Sequence, residues 1–225
     1  MKVTTDACLF GGWVANEVKS QKLKVKNVVD VGSGTGVLSL MFVQKNPLAI
    51  IDAVEIDEDA YEQANGNIAA SPFSNMINVI RGDIRSFSFT KKYDVIISNP
   101  PFYEKEIKSE DQKKNIAHHH SGLLLEELIS VMRRNLSHEG FFFLLLPFKR
   151  NEEIKKILLR QNLFLQKIVF VRQSINHDYF RMMIIGKLNE EGEAATMIDE
   201  ISICNDQQQY TEEFKELLKD YYLYL

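Results

Sequence analysis

The sequence predicts an α/β fold in which a mostly parallel sheet is covered by helices on both faces. Short apolar runs of strand length alternate with segments whose apolar residues recur at helical spacing. The connections between these segments are short, as in parallel sheets with crossover helices. The run Phe141–Leu146 is nearly all apolar, as expected of a strand buried on both faces. A chain of 225 residues has room for one such domain.

Seven strands are predicted in this sheet, and the last two form an antiparallel hairpin. They are Asn27–Val31, Ile50–Ile56, Met76–Arg81, Tyr93–Ser98, Phe141–Leu146, Phe164–Val171 and Arg181–Leu188. Helices are predicted at Gly36–Asn46, after an N-cap at Asp57, at Leu123–Leu136 (ending near Gly140 as its C-cap residue) and at Glu152–Leu163. The tail predicts a strand from Ile201 and a helix over Thr211–Tyr222. We divide this single domain into a substrate- or cofactor-capping segment (1–26), a catalytic core (27–189) and a C-terminal extension (190–225).

The composition restricts the possible partners. The net charge is −4, so any nucleic-acid surface must be local, because phosphate contacts come mostly from Lys and Arg. Cys8 and Cys204 form no metal or redox pattern, and we expect both to be reduced. No apolar run reaches the ~20 residues of a membrane span, and the first residues lack the apolar segment of a signal peptide. We therefore expect a cytoplasmic protein without membrane contacts.

A glycine-rich turn, Gly32-Ser33-Gly34-Thr35-Gly36, joins the first strand to the first helix. A phosphate loop would need a Gly-Lys-Ser/Thr ending, and the dinucleotide fingerprint would need one more residue before its last glycine. Asp30, two positions before Gly32, is awkward beside a pyrophosphate but suits the α-amino group of S-adenosylmethionine. The turn therefore favours S-adenosylmethionine over a dinucleotide.

Acidic residues follow two further strands. Glu55 closes the second strand, roughly 20 residues after the glycines, where a carboxylate can accept both ribose hydroxyls of an adenosyl group. Asp83 follows the third strand and can accept a hydrogen bond from the cofactor's adenine amine, while Ile84 can pack on that ring. The alternative for Glu55 is a solvated acid at a helix N-terminus, as expected for its neighbour Glu58.

The fourth strand leads into Asn99-Pro100-Pro101-Phe102. The lone pair of an adenine N6 is delocalised into the ring, so an enzyme must accept hydrogen bonds from the amine as charge develops. The Asn99 side-chain oxygen and the Pro100 carbonyl are two such acceptors, held rigid by consecutive prolines. Phe102 offers a face on which the target base can stack.

Basic residues after this motif are the candidates for RNA contact, namely Lys105, Lys113, Lys114 and His118. The alternative for each is a solvated loop or helix face. The run His118–His120 predicts no metal site, because consecutive side chains point in different directions and no Cys or carboxylate lies at ligand spacing.

These motifs resemble those of the bacterial tRNA1(Val) (adenine-37-N6)-methyltransferase family, and the resemblance spans nearly the whole chain. The opening Met1–Asp6 and the aromatic tail at Tyr210 and Tyr221–Tyr222 are the narrower matches. The resemblance implies a Rossmann-like class I methyltransferase fold and N6-methylation of the adenosine beside the anticodon of a valine tRNA. The target-site residues would be Asn99, Pro100, Pro101 and Phe102. The cofactor-binding residues would be Thr5, Asp30, Gly32, Ser33, Gly34, Gly36, Glu55, Ile56, Asp83, Ile84 and Asn99.

Two departures and two alternatives accompany this resemblance. Family members usually carry a further basic segment before the opening Met1–Asp6, and we expect its absence from this chain to affect tRNA affinity more than chemistry. An Arg is common where His118 stands. A protein-glutamine methyltransferase acting on release factors shares the Asn-Pro-Pro motif, but it has Tyr in place of Phe102 and a long N-terminal helical domain. A non-catalytic module that binds S-adenosylmethionine or RNA is the alternative of another class, against which Asn99 and Pro100 argue. We expect a monomer or a weak dimer.

Overall fold

The computed structural model describes residues 2–20, 24–87, 89–101, 123–188 and 195–225. Within these ranges eight strands form one sheet. Their bounds are Asn27–Val31 (β1), Ile50–Glu55 (β2), Ile77–Arg81 (β3), Tyr93–Ser98 (β4), Leu136–Pro147 (β5), Leu163–Ser174 (β6), Tyr179–Leu188 (β7) and Met197–Cys204 (β8). The strand order is β3-β2-β1-β4-β5-β7-β6-β8. Only β7 runs antiparallel to its neighbours among these strands.

Six α-helices accompany the sheet in the described part of the chain. They are Thr5–Ser20 (α1), Val37–Lys45 (α2), Glu58–Ala69 (α3), Leu125–Asn135 (α4), Asn151–Arg160 (α5) and Glu212–Leu218 (α6), with a short 3-10 helix at Phe148–Arg150. One apolar core lies between the sheet and α1, α2 and α6, and a second core lies between the opposite face and α4 and α5. The described helices include none that is long and apolar enough to cross a membrane.

The predicted α/β class is confirmed, and several elements match closely. β1 and β4 have the predicted bounds. Asp57 is the N-cap residue of α3, and its carboxylate accepts a hydrogen bond from the backbone N–H of Ala60 at 2.9 Å. β6 and β7 form the predicted antiparallel hairpin.

The prediction that Gly140 caps the fourth helix is wrong. α4 ends at Asn135, and Leu136 already belongs to β5, where it pairs with Tyr93. Gly140 lies within β5. A Cβ at this position would come within 2.9 Å of the Tyr93 carbonyl oxygen and 2.8 Å of the Ser137 Oγ, which explains why the residue is glycine. This glycine therefore permits close strand packing.

The predicted number of strands is one too few. β8 was expected as a separate strand of the tail, but it pairs in parallel with β6 and extends the sheet. It begins at Met197 rather than Ile201, and its first four residues are exposed. These residues lack an alternating apolar pattern, so the sequence did not reveal the strand's full length. The last helix is also shorter than predicted and begins after Thr211, whose hydroxyl accepts a hydrogen bond from Phe214 N at 3.2 Å.

The helix α1 was not predicted from the sequence. It buries Leu9, Phe10 and Trp13 in the same core as residues of α2 and α6. Its first turn is joined to β7, because Asp6 Oδ2 accepts a hydrogen bond from Arg181 Nε at 2.8 Å. Burial alone would raise the pKa of Asp6, but the hydrogen bonds from Thr4 and Arg181 outweigh it and lower the pKa. The N-terminal segment is thereby fixed to the rest of the fold.

Two glycines should respond in opposite ways to replacement by alanine. A Cβ at Gly186 would overlap the Phe142 ring and lie 2.8 Å from the Phe164 carbonyl oxygen. Gly186→Ala should therefore lower the free energy of unfolding by about 1–3 kcal/mol. A Cβ added at Gly66 of α3 would meet nothing within 4 Å, so Gly66→Ala should raise stability by about 0.5–1 kcal/mol. Urea unfolding measures both, and a stable Gly186 variant would contradict the described packing.

Candidate functional site

The carboxyl ends of β1, β2 and β4 meet where the strand order reverses. β1 lies between β2 and β4, and Val31 is in parallel register with Val54 on one side and with Ser98 on the other. Open parallel sheets bind ligands in the crevice at such a reversal. The register therefore brings the residues that follow these strands, Gly32 and Asn99 among them, to one edge.

The glycine turn after β1 has a left-handed backbone at each glycine. The φ angles are 70° at Gly32, 54° at Gly34 and 77° at Gly36, a region that residues with a Cβ adopt rarely. The Val54 carbonyl accepts hydrogen bonds from Gly32 N at 2.8 Å and Ser33 N at 3.1 Å, which ties the turn to β2. A Cβ at Gly32 would meet nothing within 4 Å, so this half-exposed glycine borders open space in which a ligand can approach the backbone.

Glu55 lies at the end of β2 and is hydrogen-bonded to the glycine turn. Its carboxylate is buried and accepts three backbone hydrogen bonds, from Gly34 N at 2.8 Å and from Ile56 N and Asp57 N at 2.9 Å each. This contact with Gly34 was not visible in the sequence, because the two residues are 21 positions apart. The adjacent Ile56 is exposed at the same edge.

Asp30 is fully buried beneath the turn. Its Oδ2 accepts a hydrogen bond from the Ser39 hydroxyl at 2.8 Å, whereas its Oδ1 is buried without a partner. Burial raises the pKa of Asp30 to about 7; the negative charge of Glu55 adds to the rise, and the Ser39 hydrogen bond opposes it. The Ser33 hydroxyl oxygen is likewise buried without a partner. Buried polar atoms without a hydrogen-bond partner are rare in folded proteins. Asp30 Oδ1 and Ser33 Oγ therefore fit a ligand that brings hydrogen-bond donors or positive charge to the turn.

Asp83 is already engaged in the structure. Arg85 Nε lies 3.0 Å from both carboxylate oxygens, and Arg85 Nη2 lies 2.6 Å from Oδ2. Ile84 is buried in the second apolar core. A ligand amine at Asp83 would therefore share the carboxylate with Arg85, a residue that the sequence motif did not indicate.

The end of β4 is fixed to β1 by Ser98. Its buried hydroxyl donates a hydrogen bond to the Val31 carbonyl oxygen at 2.7 Å, which places the next residue, Asn99, beside the glycine turn. Asn99 is half-buried, Pro100 is buried and Pro101 is exposed. The end of β4 thus brings Asn99 and Pro100 next to the glycine turn.

The remaining predicted site residues fall in two groups. Thr5 is exposed and begins α1. The others lie outside the described residues: Phe102, Lys105, Lys113, Lys114 and His118. Within the described ranges, no group of three or more His, Cys, Asp or Glu side chains could hold a metal ion.

Two supporting residues were missed by sequence reasoning. Asn67 of α3 donates a hydrogen bond from Nδ2 to the Thr35 carbonyl oxygen at 2.9 Å, which ties the glycine turn to α3. Ser39 lies in α2 between buried apolar residues such as Leu38 and Met41. A polar side chain on an otherwise apolar helix face is the signal that could have identified Ser39.

Comparisons with known proteins show which family and which fold this chain resembles. The family described as "Methyltransferase small domain" matches residues 14–158, a span that contains the glycine turn and Asn99. A tRNA1(Val) (adenine(37)-N6)-methyltransferase of Dyadobacter fermentans is 35% identical over 99% of this chain and 91% of its own length. The enzyme of the same name from Pseudoalteromonas translucida is 37% identical over 99% of this chain and 92% of its own. A predicted O-methyltransferase from Agrobacterium tumefaciens superposes with a TM-score of 0.69 at 14% identity over 94% of each chain, which shows a shared fold.

The buried Asp30 should make stability depend on pH. Its pKa rises from 3.8 to about 7 on folding, so its contribution is most favourable below pH 4 and is lost as the pH rises through 7. Asp30→Asn removes this loss, and at pH 8 it should stabilise the fold by on the order of 4 kcal/mol, with a smaller gain at pH 5. Chemical unfolding at both pH values measures the gain, and Glu139→Gln at an exposed site is the control. An equal gain at both pH values would contradict the assignment.

Proposed function

Because this chain belongs to the tRNA1(Val) (adenine(37)-N6)-methyltransferase family, we propose that it transfers a methyl group from S-adenosylmethionine to N6 of adenosine 37 in tRNA1(Val). The observation that carries the proposal is the register of β1 and β4, which brings Asn99 and Pro100 beside the glycine turn. The full-length relatives favour this function over a protein-glutamine methyltransferase and over a non-catalytic module. Its place of action would be the cytoplasm, where tRNA is used.

The cofactor would lie over the glycine turn. Glu55 would accept hydrogen bonds from the ribose hydroxyls, and Asp83 with Ile84 would bind the adenine. The unpartnered Asp30 Oδ1 and Ser33 Oγ would face the amino-acid end of the cofactor. When bound, the cofactor supplies an electrophilic methyl group. Thr5, on the first turn of α1, would contribute from the N-terminal side.

The target amine would be held by two acceptors. The Asn99 side-chain oxygen and the Pro100 carbonyl would accept hydrogen bonds from its two N–H groups. As the nitrogen bonds to the methyl carbon, these N–H groups become more acidic and the hydrogen bonds strengthen. After methyl transfer the nitrogen is positively charged, and one of its two protons passes to solvent, so the chain needs no general base of shifted pKa. Phe102 would stack on the base, and this role stays a prediction from the sequence.

The tRNA surface also stays a prediction from the sequence. The candidate phosphate contacts are Lys105, Lys113, Lys114 and His118. They follow the Asn-Pro-Pro motif along the chain, so their contacts would lie close to the target base. A monomer or weak dimer remains the expected state.

Glu55→Ala should weaken binding of S-adenosylmethionine by ~10- to 100-fold, because a charge-assisted hydrogen bond to the ribose is lost. Isothermal titration calorimetry measures the affinity. Glu58→Ala is the matched control, since Glu58 is exposed and paired with Arg81 at 2.7 Å. Glu55 also accepts from Gly34 N, so the melting temperature is recorded for both variants. Unchanged affinity for the Glu55 variant would remove this residue from the cofactor site.

Asn99→Ala should slow methyl transfer by ~100- to 1,000-fold while tRNA affinity is kept, because the acceptor acts mainly in the transition state. Asn99→Asp keeps an acceptor and should retain more activity than Ala. Single-turnover methylation of unmodified tRNA1(Val) with labelled cofactor measures the rate. Asn135→Ala, at the far end of the sheet where α4 ends, is the control and should react at the wild-type rate. A fast Asn99→Ala enzyme would refute the proposed site.

A further inference from the structure

The Asp30 carboxyl group, proposed above to face the amino-acid end of the cofactor, also forms a buried pair with Ser39. Both side chains have no exposed surface, and the Ser39 hydroxyl donates to Asp30 Oδ2 at 2.8 Å. Asp30 Oδ1 has no hydrogen-bond partner. Asp30 belongs to the strand that enters the glycine turn, and Ser39 belongs to the helix that leaves it. The pair therefore braces the base of the turn.

The charge of an ionised Asp30 is poorly compensated. Ser39 is a neutral donor, and Glu55 adds a negative charge. Charged groups on three neighbouring elements have partners of their own: Asp6 of α1 pairs with Arg181, Lys45 of α2 pairs with Asp220, and Asp94 of β4 accepts hydrogen bonds from the amides of Lys26 and Asn27. A carboxyl group in such surroundings favours its neutral form. The pKa of about 7, raised mainly by burial, agrees with this geometry.

We propose that the Asp30–Ser39 pair couples cofactor binding to the release of a proton, with Ser39 as the positioning residue that holds the Asp30 carboxyl group. The inference rests on the proposed function, because S-adenosylmethionine carries a sulfonium and an ammonium group. Positive charge arriving at the turn stabilises the ionised carboxylate. The Asp30 O–H bond then breaks, and its proton passes to solvent. The Ser39 hydroxyl favours the ionised form because it donates to Oδ2.

Calorimetry in buffers of different ionisation enthalpy counts the protons released on binding. The wild-type protein should release ~0.5 proton at pH 7, and its affinity should fall ~10-fold between pH 7.5 and pH 6, since binding must then displace the proton. Asp30→Asn should lose this release and flatten the pH dependence. Any protons that Asp30→Asn still releases come from the cofactor's own ammonium group and are subtracted from the wild-type value. The probe 5′-methylthioadenosine has neither the sulfonium nor the ammonium group and should bind without proton release.

Ser39→Ala separates positioning from a merely structural role. Loss of its hydrogen bond should move the proton-release profile to higher pH, whereas a structural defect would weaken binding equally at every pH. Ser174→Ala is the matched control, because Ser174 is also buried but its hydroxyl contacts His177 in the β6–β7 turn. If the wild-type protein binds the cofactor without releasing a proton, or if Asp30→Asn releases as many protons as the wild type, this inference is wrong and the proposed function still stands. An unmoved Ser39→Ala profile would overturn the role of Ser39, and absence of cofactor binding would overturn the proposed function itself.

Discussion

The parallel pairing of β1 with both β2 and β4 is the constraint on which the site depends. Val31 lies level with Val54 and Ser98, and hydrogen bonds at the strand ends secure this register: Gly32 N to the Val54 carbonyl and the Ser98 hydroxyl to the Val31 carbonyl. A slip by one residue would turn alternate side chains to the opposite face. The glycine turn and the Asn-Pro-Pro motif would then lose their present arrangement at this edge.

The same edge concentrates polar groups that the fold itself does not favour. Asp30 and Glu55 are buried carboxylates, and Asp30 keeps one oxygen without a partner. Two apolar cores, one on each face of the sheet, provide the stability that tolerates them. Glu55 contributes both to the fold and to the proposed site, because the carboxylate proposed to bind the ribose also accepts a hydrogen bond from Gly34 N. Preorganised polar groups of this kind are costly in a fold and useful in a site.

Local sequence patterns revealed most of the architecture and fewer of the contacts. β1 and β4 were predicted to the residue, because an apolar run bounded by a turn signal is a local feature. The end of α4 was misplaced, because Gly140 serves strand packing and looks like a helix cap only in sequence. The pairing of Asp83 with Arg85 and of Asp30 with Ser39 depends on side-chain geometry in the folded chain. Residue types and spacing therefore predicted the strands that carry the candidate site residues, while tertiary distances decide what each carboxylate contacts.

The central claim is that this edge positions the exocyclic amine of an adenine against a methyl donor. Mass spectrometry of valine tRNA, after incubation of unmodified total tRNA with the protein and isotope-labelled S-adenosylmethionine, tests it most directly. The account predicts one labelled methyl group, on N6 of the adenosine beside the anticodon. A label on a ring nitrogen, on a ribose or on a protein glutamine, with none on that amine, would contradict it.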